Sequence, residues 1–270
     1  MTYNYEGTAA EFLELSSEQR LDIILGLLEK KSSVSAMAKE LDATVPEVYR
    51  NFERLVKASL IEKDTDGSYH LTTYGVTVCA SIPSIGFVSK NKGYFKDHHY
   101  GDIPQKFVQR IGALSSGKQI TGFVKVLEQW KEIYKNSNEF IYNILSEVSY
   151  SSDLMEPLLT KLQNGVKVNS IFSESAIIPK ERKTVIEKVN FKKFIANDML
   201  ARKMKKDVKV VVVLNEKEAG VMFPTFDGEP DLSKMFYSQN DTFHEWCLDY
   251  FRDCWNNADM FQESKLKQQD

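Results

Sequence analysis

The sequence predicts two domains of different class, an α+β domain of three short helices and a hairpin followed by a larger α/β domain. The 270-residue length exceeds the roughly 100–200 residues that one hydrophobic core usually serves. Apolar residues recur at helical spacing three times before residue 60 and then give way to two short runs around an Asp-Gly turn. From residue 138 onward, runs of strand-forming residues alternate with helical patterns, the signature of an α/β layer arrangement.

The elements follow in order. Ser16 with Gln19 three residues on forms a capping box, opening a helix with Leu21, Ile24, Leu25 and Leu28 on its inner face. Val34, Met37, Ala38 and Leu41 repeat the spacing over a second, short helix. A turn from Asp42 to Val45 leads into a third, with Thr44 as N-cap, Pro46 in the first turn, and Val48, Phe52, Leu55 and Val56 facing inward. LIEKDTDGSYHLT then reads as two strands around Asp64-Thr65-Asp66-Gly67, where the Asp-Gly pair supplies positive φ. Three helices and a hairpin in this order are the parts of a winged helix-turn-helix. A fourth helix, Thr72 to Ala80, carries the chain to Pro83. The expected domains are residues 10–82, a linker and helical connection over 83–120, and an α/β effector and dimerisation domain over 121–260.

Within the second domain, Phe107, Val108 and Ile111 mark one helix, and Phe123, Val126, Leu127 and Trp130 another. A strand over Asn138 to Ser146, a helix from Asp153 to Gln163, Gly165 and the strand VKVNSIF make a βαβ unit, which predicts parallel pairing. A basic helical stretch from Pro179 to Lys206 precedes VKVVVVL (208–214), whose continuous apolarity predicts a central strand buried on both faces. Gly220 to Phe223 is its expected hairpin partner, and a helix from Thr242 to Trp255 closes the domain. The sheet is expected to be parallel-rich with flanking helices, of phospholipase-D-like order but without its catalytic motif.

Composition is that of a globular chain, 42% apolar and 27% charged. No apolar run is long enough for a bilayer, and the N-terminus has no basic-then-apolar leader, so a cytoplasmic address is expected. Cys79, Cys247 and Cys254 are odd in number and make no CxxC pair, which argues against a disulfide framework or a zinc ribbon. Net charge is -3, unevenly spread: residues 1–82 hold 8 Lys/Arg against 13 Asp/Glu, and residues 83–200 hold 17 against 12. An acidic first domain opposes the simplest expectation for a nucleic-acid binder.

The segment VSAMAKELDATVPEVYRNFERLVKASLIEKDTDGSYHLTTYG resembles the winged helix of archaeal regulators, through Val48-Tyr49-Arg50, Leu55, Leu60-Ile61 and Leu71-Thr72-Thr73-Tyr74-Gly75. Over roughly residues 10–260 the chain is similar to regulators carrying the methanogenesis-regulator middle domain. The resemblance implies a homodimeric transcription factor whose third helix enters the major groove of double-stranded DNA and whose wing lies along the backbone. Such domains usually have Gly before the Leu-Ile pair; here Ser59 stands in its place.

Reading bases needs long hydrogen-bonding side chains near the start of the exposed helix face. Glu47, Tyr49, Arg50, Asn51 and Arg54 fit: Arg50 suits guanine O6 and N7, Asn51 adenine, and Glu47 cytosine N4. Thr44, Lys57, Lys63 and Ser68 suit phosphates, which fix register. The plainer alternative is that Arg50 and Arg54 are solvated neighbours of Glu47 and Glu53. Of the acidic residues, Glu6, Glu11, Glu14, Glu18 and Asp22 are expected to lie away from DNA.

Elsewhere the functional signal is thin. Lys180 to Lys209 carries 11 Lys/Arg and 4 acidic residues, readable as an anion site or as a solvated helix face. His244 with Cys247, Cys254, Cys79 or His98-His99 gives no strong metal spacing, and no cofactor is implied. The chain has no GxSxG, P-loop or GxGxxG, and none of its four histidines stands two residues before a lysine, so it is expected not to be an enzyme. The expected function is a ligand-responsive, sequence-specific transcriptional regulator with an unknown small-molecule effector and no membrane partner. The alternatives are a metal or thiol sensor of the same architecture, and a winged-helix protein-interaction module.

Overall fold

A computed structural model describes residues 6–147, 152–178, 191–265 and 267–268. The 179–190 part of the predicted basic helix lies outside them. The chain divides into two compact units, Met1–Pro83 and Ser84–Asp270.

The first unit comprises α1 (Glu6–Leu15), α2 (Glu18–Glu29), α3 (Val34–Glu40), α4 (Val45–Lys57), β1 (Ile61–Lys63), β2 (Tyr69–Leu71) and the start of α5 (Thr73–Lys90). Helix α1 is additional to the sequence expectation, and its presence moves the cap by one residue. The Ser16 hydroxyl donates to the Leu13 carbonyl at 2.6 Å, closing α1, while Ser17 caps α2 by accepting from the Arg20 N–H. The inner stripe of α2 is Arg20, Ile23, Ile24 and Leu27, and the predicted Leu28 is 47% exposed. A charged residue can take a core-facing position there because the Arg20 stem is apolar and its guanidinium is satisfied by the carbonyls of Leu13 and Glu14.

Ser33 caps α3 by accepting from the Ala36 N–H at 3.2 Å, and Asp42, at φ 48°, turns the chain into α4. Val48, Phe52 and Leu55 of α4 are fully buried, whereas Val56, predicted inward, is 41% exposed. The hairpin registers Ile61↔Leu71 and Lys63↔Tyr69, with Gly67 at φ +85° in its turn. Tyr69 meets Phe52 edge-on at 4.7 Å, and Ser32 and Tyr69 exchange both backbone hydrogen bonds, tying the hairpin to the α2–α3 junction. At the start of α5 the Thr72 hydroxyl donates to the Ser59 carbonyl at 2.7 Å and accepts from the Gly75 N–H at 2.9 Å. Gly75 is demanded by close approach: a Cβ there would lie 2.0 Å from the Leu60 carbonyl oxygen.

The second unit is built on a sheet of order β11-β7-β5-β4-β8-β9-β10-β3. Its strands are β3 (Lys118–Thr121), β4 (Phe140–Leu145), β5 (Lys167–Ser173), β7 (Leu200–Lys205), β8 (Val211–Leu214), β9 (Ala219–Met222), β10 (Lys234–Ser238) and β11 (Asp259–Met260), with β6 (Ile177–Ile178) and β12 (Lys267–Gln268) paired separately. Helices α6 (Gln105–Gln109), α7 (Phe123–Asn136), α8 (Ser152–Gln163), α9 (Phe191–Ala196) and α10 (Asp241–Asn257) accompany it. The β4–α8–β5 segment makes a parallel pair, and β5 pairs parallel with β7. The other ladders of this sheet are antiparallel, so the architecture is α+β with a mixed sheet, not the parallel-rich sheet expected. The five residues Lys206–Val210 between β7 and β8 are too few for the crossover of about a dozen that a parallel return needs.

Residues 83–120 do not form a linker. Helix α5 runs on through Pro83 to Lys90, and Phe87, Tyr94, Ile103, Phe107, Ile111 and Leu114 join the core of the second unit, while β3 pairs with β10. Val211–Leu214 are fully buried, as a strand covered on both faces requires. Helix α10 buries Phe243, Trp246, Cys247, Tyr250, Phe251 and Cys254 against the sheet, with the Trp246 indole donating to the Phe107 carbonyl at 3.1 Å.

Candidate nucleic-acid interface

Burial of Val48, Phe52 and Leu55 fixes the rotation of α4, so Glu47, Tyr49, Arg50, Glu53, Arg54 and Lys57 face outward and are exposed. Thr44 sits at the N-cap with extended backbone, its carbonyl accepting from the Glu47 and Val48 N–H groups at 3.1 Å. Its exposed side chain makes no capping bond. Arg50 has no carboxylate partner among the described residues; Lys57 is exposed on the same face. The Tyr49 hydroxyl bonds Glu53, which pushes its titration upward.

Asn51 and Arg54 are placed differently from the sequence expectation. The half-buried Asn51 amide donates to the Gln19 side-chain carbonyl and accepts from Arg20 Nη1 at 3.4 Å. Arg54 grips Glu14 bidentately, Nε to Oε2 at 2.9 Å and Nη2 to Oε1 at 2.8 Å. Glu14 also lies 3.2 Å from Arg20 Nε. The Arg54 hydrogen bond, aided by the charges of Arg20 and Lys57, holds the Glu14 carboxyl below the usual carboxylate range despite partial burial. Glu14 was expected to lie away from this surface; α1 carries it onto α4 instead.

In the hairpin, Lys63 is exposed, its ammonium 5.7 Å from the Tyr69 ring centroid. Ser68 is half-buried and its hydroxyl is committed to Asp66 Oδ1 at 2.6 Å, so its phosphate role requires breaking a turn contact. Lys31 pairs with Asp64, and the His70 ring lies 3.0 Å from Glu62 and 3.3 Å from Asp64. The tip is acidic and internally cross-linked. The residues that sequence inspection overlooked are Glu14, Gln19 and Arg20. The apolar pair Phe12-Leu13 ahead of them was the one local sign of another helix.

The second unit holds no comparably free cations along β7. Arg202 pairs with Glu263 and covers the Phe261 ring at 4.1 Å, Lys203 donates to the Trp255 carbonyl at 2.6 Å, and Lys205 pairs with Asp102. Two cations of this part of the predicted anion site are therefore neutralised from within, and Lys203 is committed to a backbone carbonyl. The His244 ring contacts the Asn215 carbonyl at 2.6 Å, Cys247 and Cys254 are buried, and the described residues contain no cluster of three metal donors. His98 is held between the Tyr94 carbonyl at 2.8 Å and Asp231 at 2.9 Å. An open groove of about 600 Å³ between β3 and α7 is lined by side chains including Lys118, Gln119, Lys125, Glu128, Gln129 and Glu132. Among the described residues no helix is long and apolar enough to cross a membrane.

No protein-family model matches the chain, and no curated protein matches it. Solved structures do. TrmBL2, an archaeal chromatin protein described as showing a novel mode of DNA binding, is 10% identical over 91% of this chain and 94% of its own, with a TM-score of 0.42. Nuc from Salmonella typhimurium, a phospholipase D family member, is 14% identical over 54% of this chain and 99% of its own, at 0.39. NcsB1, an O-methyltransferase from neocarzinostatin biosynthesis, is 10% identical over 73% of this chain and 64% of its own, at 0.24. The chain is thus distantly similar to a DNA-associated protein and to enzymes. The expectation that it is not an enzyme is corrected accordingly, because a phospholipase D family member and O-methyltransferases are among the structures it matches. Likeness at these identities carries no particular activity over.

Proposed function

We propose that the first unit is a winged helix-turn-helix that reads double-stranded DNA through α4, and that the chain acts as a homodimeric transcriptional regulator of the kind carrying the methanogenesis-regulator middle domain. The observation that carries this reading is the outward face of α4, where Arg50 and Lys57 stand exposed opposite a fully buried Val48-Phe52-Leu55 seam. A rigid helix with its cations outward, braced by a hairpin pinned at Ser32 and Tyr69, is what a major-groove reader needs. Arg50 addresses guanine, Glu47 and Tyr49 flank it, and Thr44, Lys57 and Lys63 contact phosphates. The second unit is the effector part. Both signs of charge line the β3–α7 groove, which suits a polar small ligand, and such a ligand acts only through unequal affinity for the DNA-competent and incompetent forms.

Band shifts on the chain's own upstream DNA test the assignment. Arg50→Ala is expected to cost ~1–3 kcal/mol and to relax preference at one base pair, whereas Lys57→Ala weakens all sequences alike and lowers the salt slope by about one. Unchanged binding in both variants refutes α4 as the reading helix.

A further inference from the structure

Two of the five candidate reading residues of α4 are already engaged by the α1–α2 corner of the protein itself. The fork of Arg54 closes on the two oxygens of Glu14, and the amide of Asn51 closes on Gln19. Both partners lie at the α1–α2 corner. Arg20, 8% exposed, holds that corner: it donates to the carbonyls of Glu14 at 2.7 Å and Leu13 at 3.2 Å, and reaches Asn51 at 3.4 Å.

We propose that α1 and the start of α2 are an intramolecular cover over the later half of the α4 reading face, with Glu14 and Gln19 standing where DNA would. The inference rests on the DNA-binding reading of α4 and adds a competitor to it. A carboxylate offers a guanidinium fork the same paired acceptors as a phosphate or the O6/N7 edge of guanine, so Arg54 cannot serve Glu14 and a duplex together. The Gln19 carbonyl likewise takes the donor of Asn51 that adenine N7 would take. Glu14 also places a negative charge where phosphates must approach. Release parts a pair in which the Arg54 side chain is 51% exposed and Glu14 16% exposed, so it costs more than separating a surface pair, yet the guanidinium stays within reach of water and of a competing anion. Arg50 and Lys57 make first contact with the duplex, and Arg54 and Asn51 join once α1 withdraws.

The test is fluorescence anisotropy of the full chain with a labelled duplex of random sequence at low salt, comparing wild type, Glu14→Gln, Arg54→Ala and the double variant, with Glu29→Gln as a control for net charge. Glu14→Gln is expected to bind about 2-fold to 5-fold tighter, equivalent to ~0.4–1 kcal/mol. That gain is expected to vanish in the Arg54→Ala background and to be absent in Glu29→Gln. Binding by Glu14→Gln no tighter than wild type, or a full gain without Arg54, overturns the cover and leaves the DNA reading standing. Failure of every variant to hold the duplex removes the DNA reading, and the cover with it. If Glu14→Gln melts below the assay temperature, Glu14→Asp, too short for the bidentate grip but still charged, is expected to show a gain that again requires Arg54.

Discussion

Replacing Gly75 by Ala sets two effects of opposite sign against each other. Gly75 lies in the first turn of α5, where Ala is favoured over Gly by up to about 1 kcal/mol on helix propensity alone. Against this, the new Cβ would meet the Leu60 carbonyl oxygen at 2.0 Å and the Leu71 side chain at 3.2 Å. Restoring ordinary van der Waals separation requires the helix start and the Leu60 turn to part by more than an ångström. That movement strains the Thr72 N–H bond to Leu60 at 3.1 Å and the Thr72 hydroxyl bond to Ser59 at 2.7 Å. Overpacking costs ~1–3 kcal/mol and a strained hydrogen bond ~1 kcal/mol more. The clash therefore wins, and Gly75→Ala is expected to destabilise the first unit by about 1–3 kcal/mol after the propensity gain is subtracted. Urea denaturation followed by far-ultraviolet circular dichroism measures it. Fluorescence follows the second unit separately, because Trp130, Trp246 and Trp255 all belong there. An unchanged or raised midpoint in the dichroism transition refutes the close-approach account.

Ser59 holds a left-handed backbone at φ 57°, so Ser59→Gly relieves about 1–2 kcal/mol of steric cost and gives back about 0.5–1 kcal/mol in unfolded-chain entropy, a net stabilisation of up to about 1 kcal/mol read as a higher melting temperature; a loss of stability contradicts the backbone explanation. Burial pushes the Cys254 thiol up to about 11, from an ordinary value of 9.0, and raises Cys247 well above its own. A raised value means less thiolate at any lower pH, about 100-fold less for Cys254 at pH 8, so native-state alkylation should be slow there and accelerate only as pH climbs toward 11. Rapid labelling of the native protein at pH 8 would restore the thiol-sensor alternative.

The parts of the fold legible in the sequence were those written in local chemistry. The α4 seam of Val48, Phe52 and Leu55, the positive-φ Gly67 and the buried run Val211–Leu214 each depend on residues close together in the chain. Strand direction was not local. VKVVVVL reads as buried on both faces whichever way it runs, and only the short Lys206–Val210 connection excludes the parallel return. The same limit explains the interface. The outward placement of Arg50 follows from its position on the helix, but Arg54 and Asn51 are claimed by partners 40 and 32 residues away in sequence, Glu14 and Gln19. The α2 stripe was misread by one residue because Arg20, counted as polar, occupies a core position that no hydropathy pattern assigns to arginine.

The reciprocal bonds between Ser32 and Tyr69 bear on how this protein can be re-engineered. They fix the base of the hairpin independently of its turn, and Tyr69 is locked again by Phe52. Within the tip Asp64 is tied to Lys31 and Asp66 holds Ser68, so the exposed Thr65 is the position open to change. Substituting the exposed Thr65 with a basic residue would offset the acidity of the tip without touching the bonds that fix the hairpin or the rotation of α4.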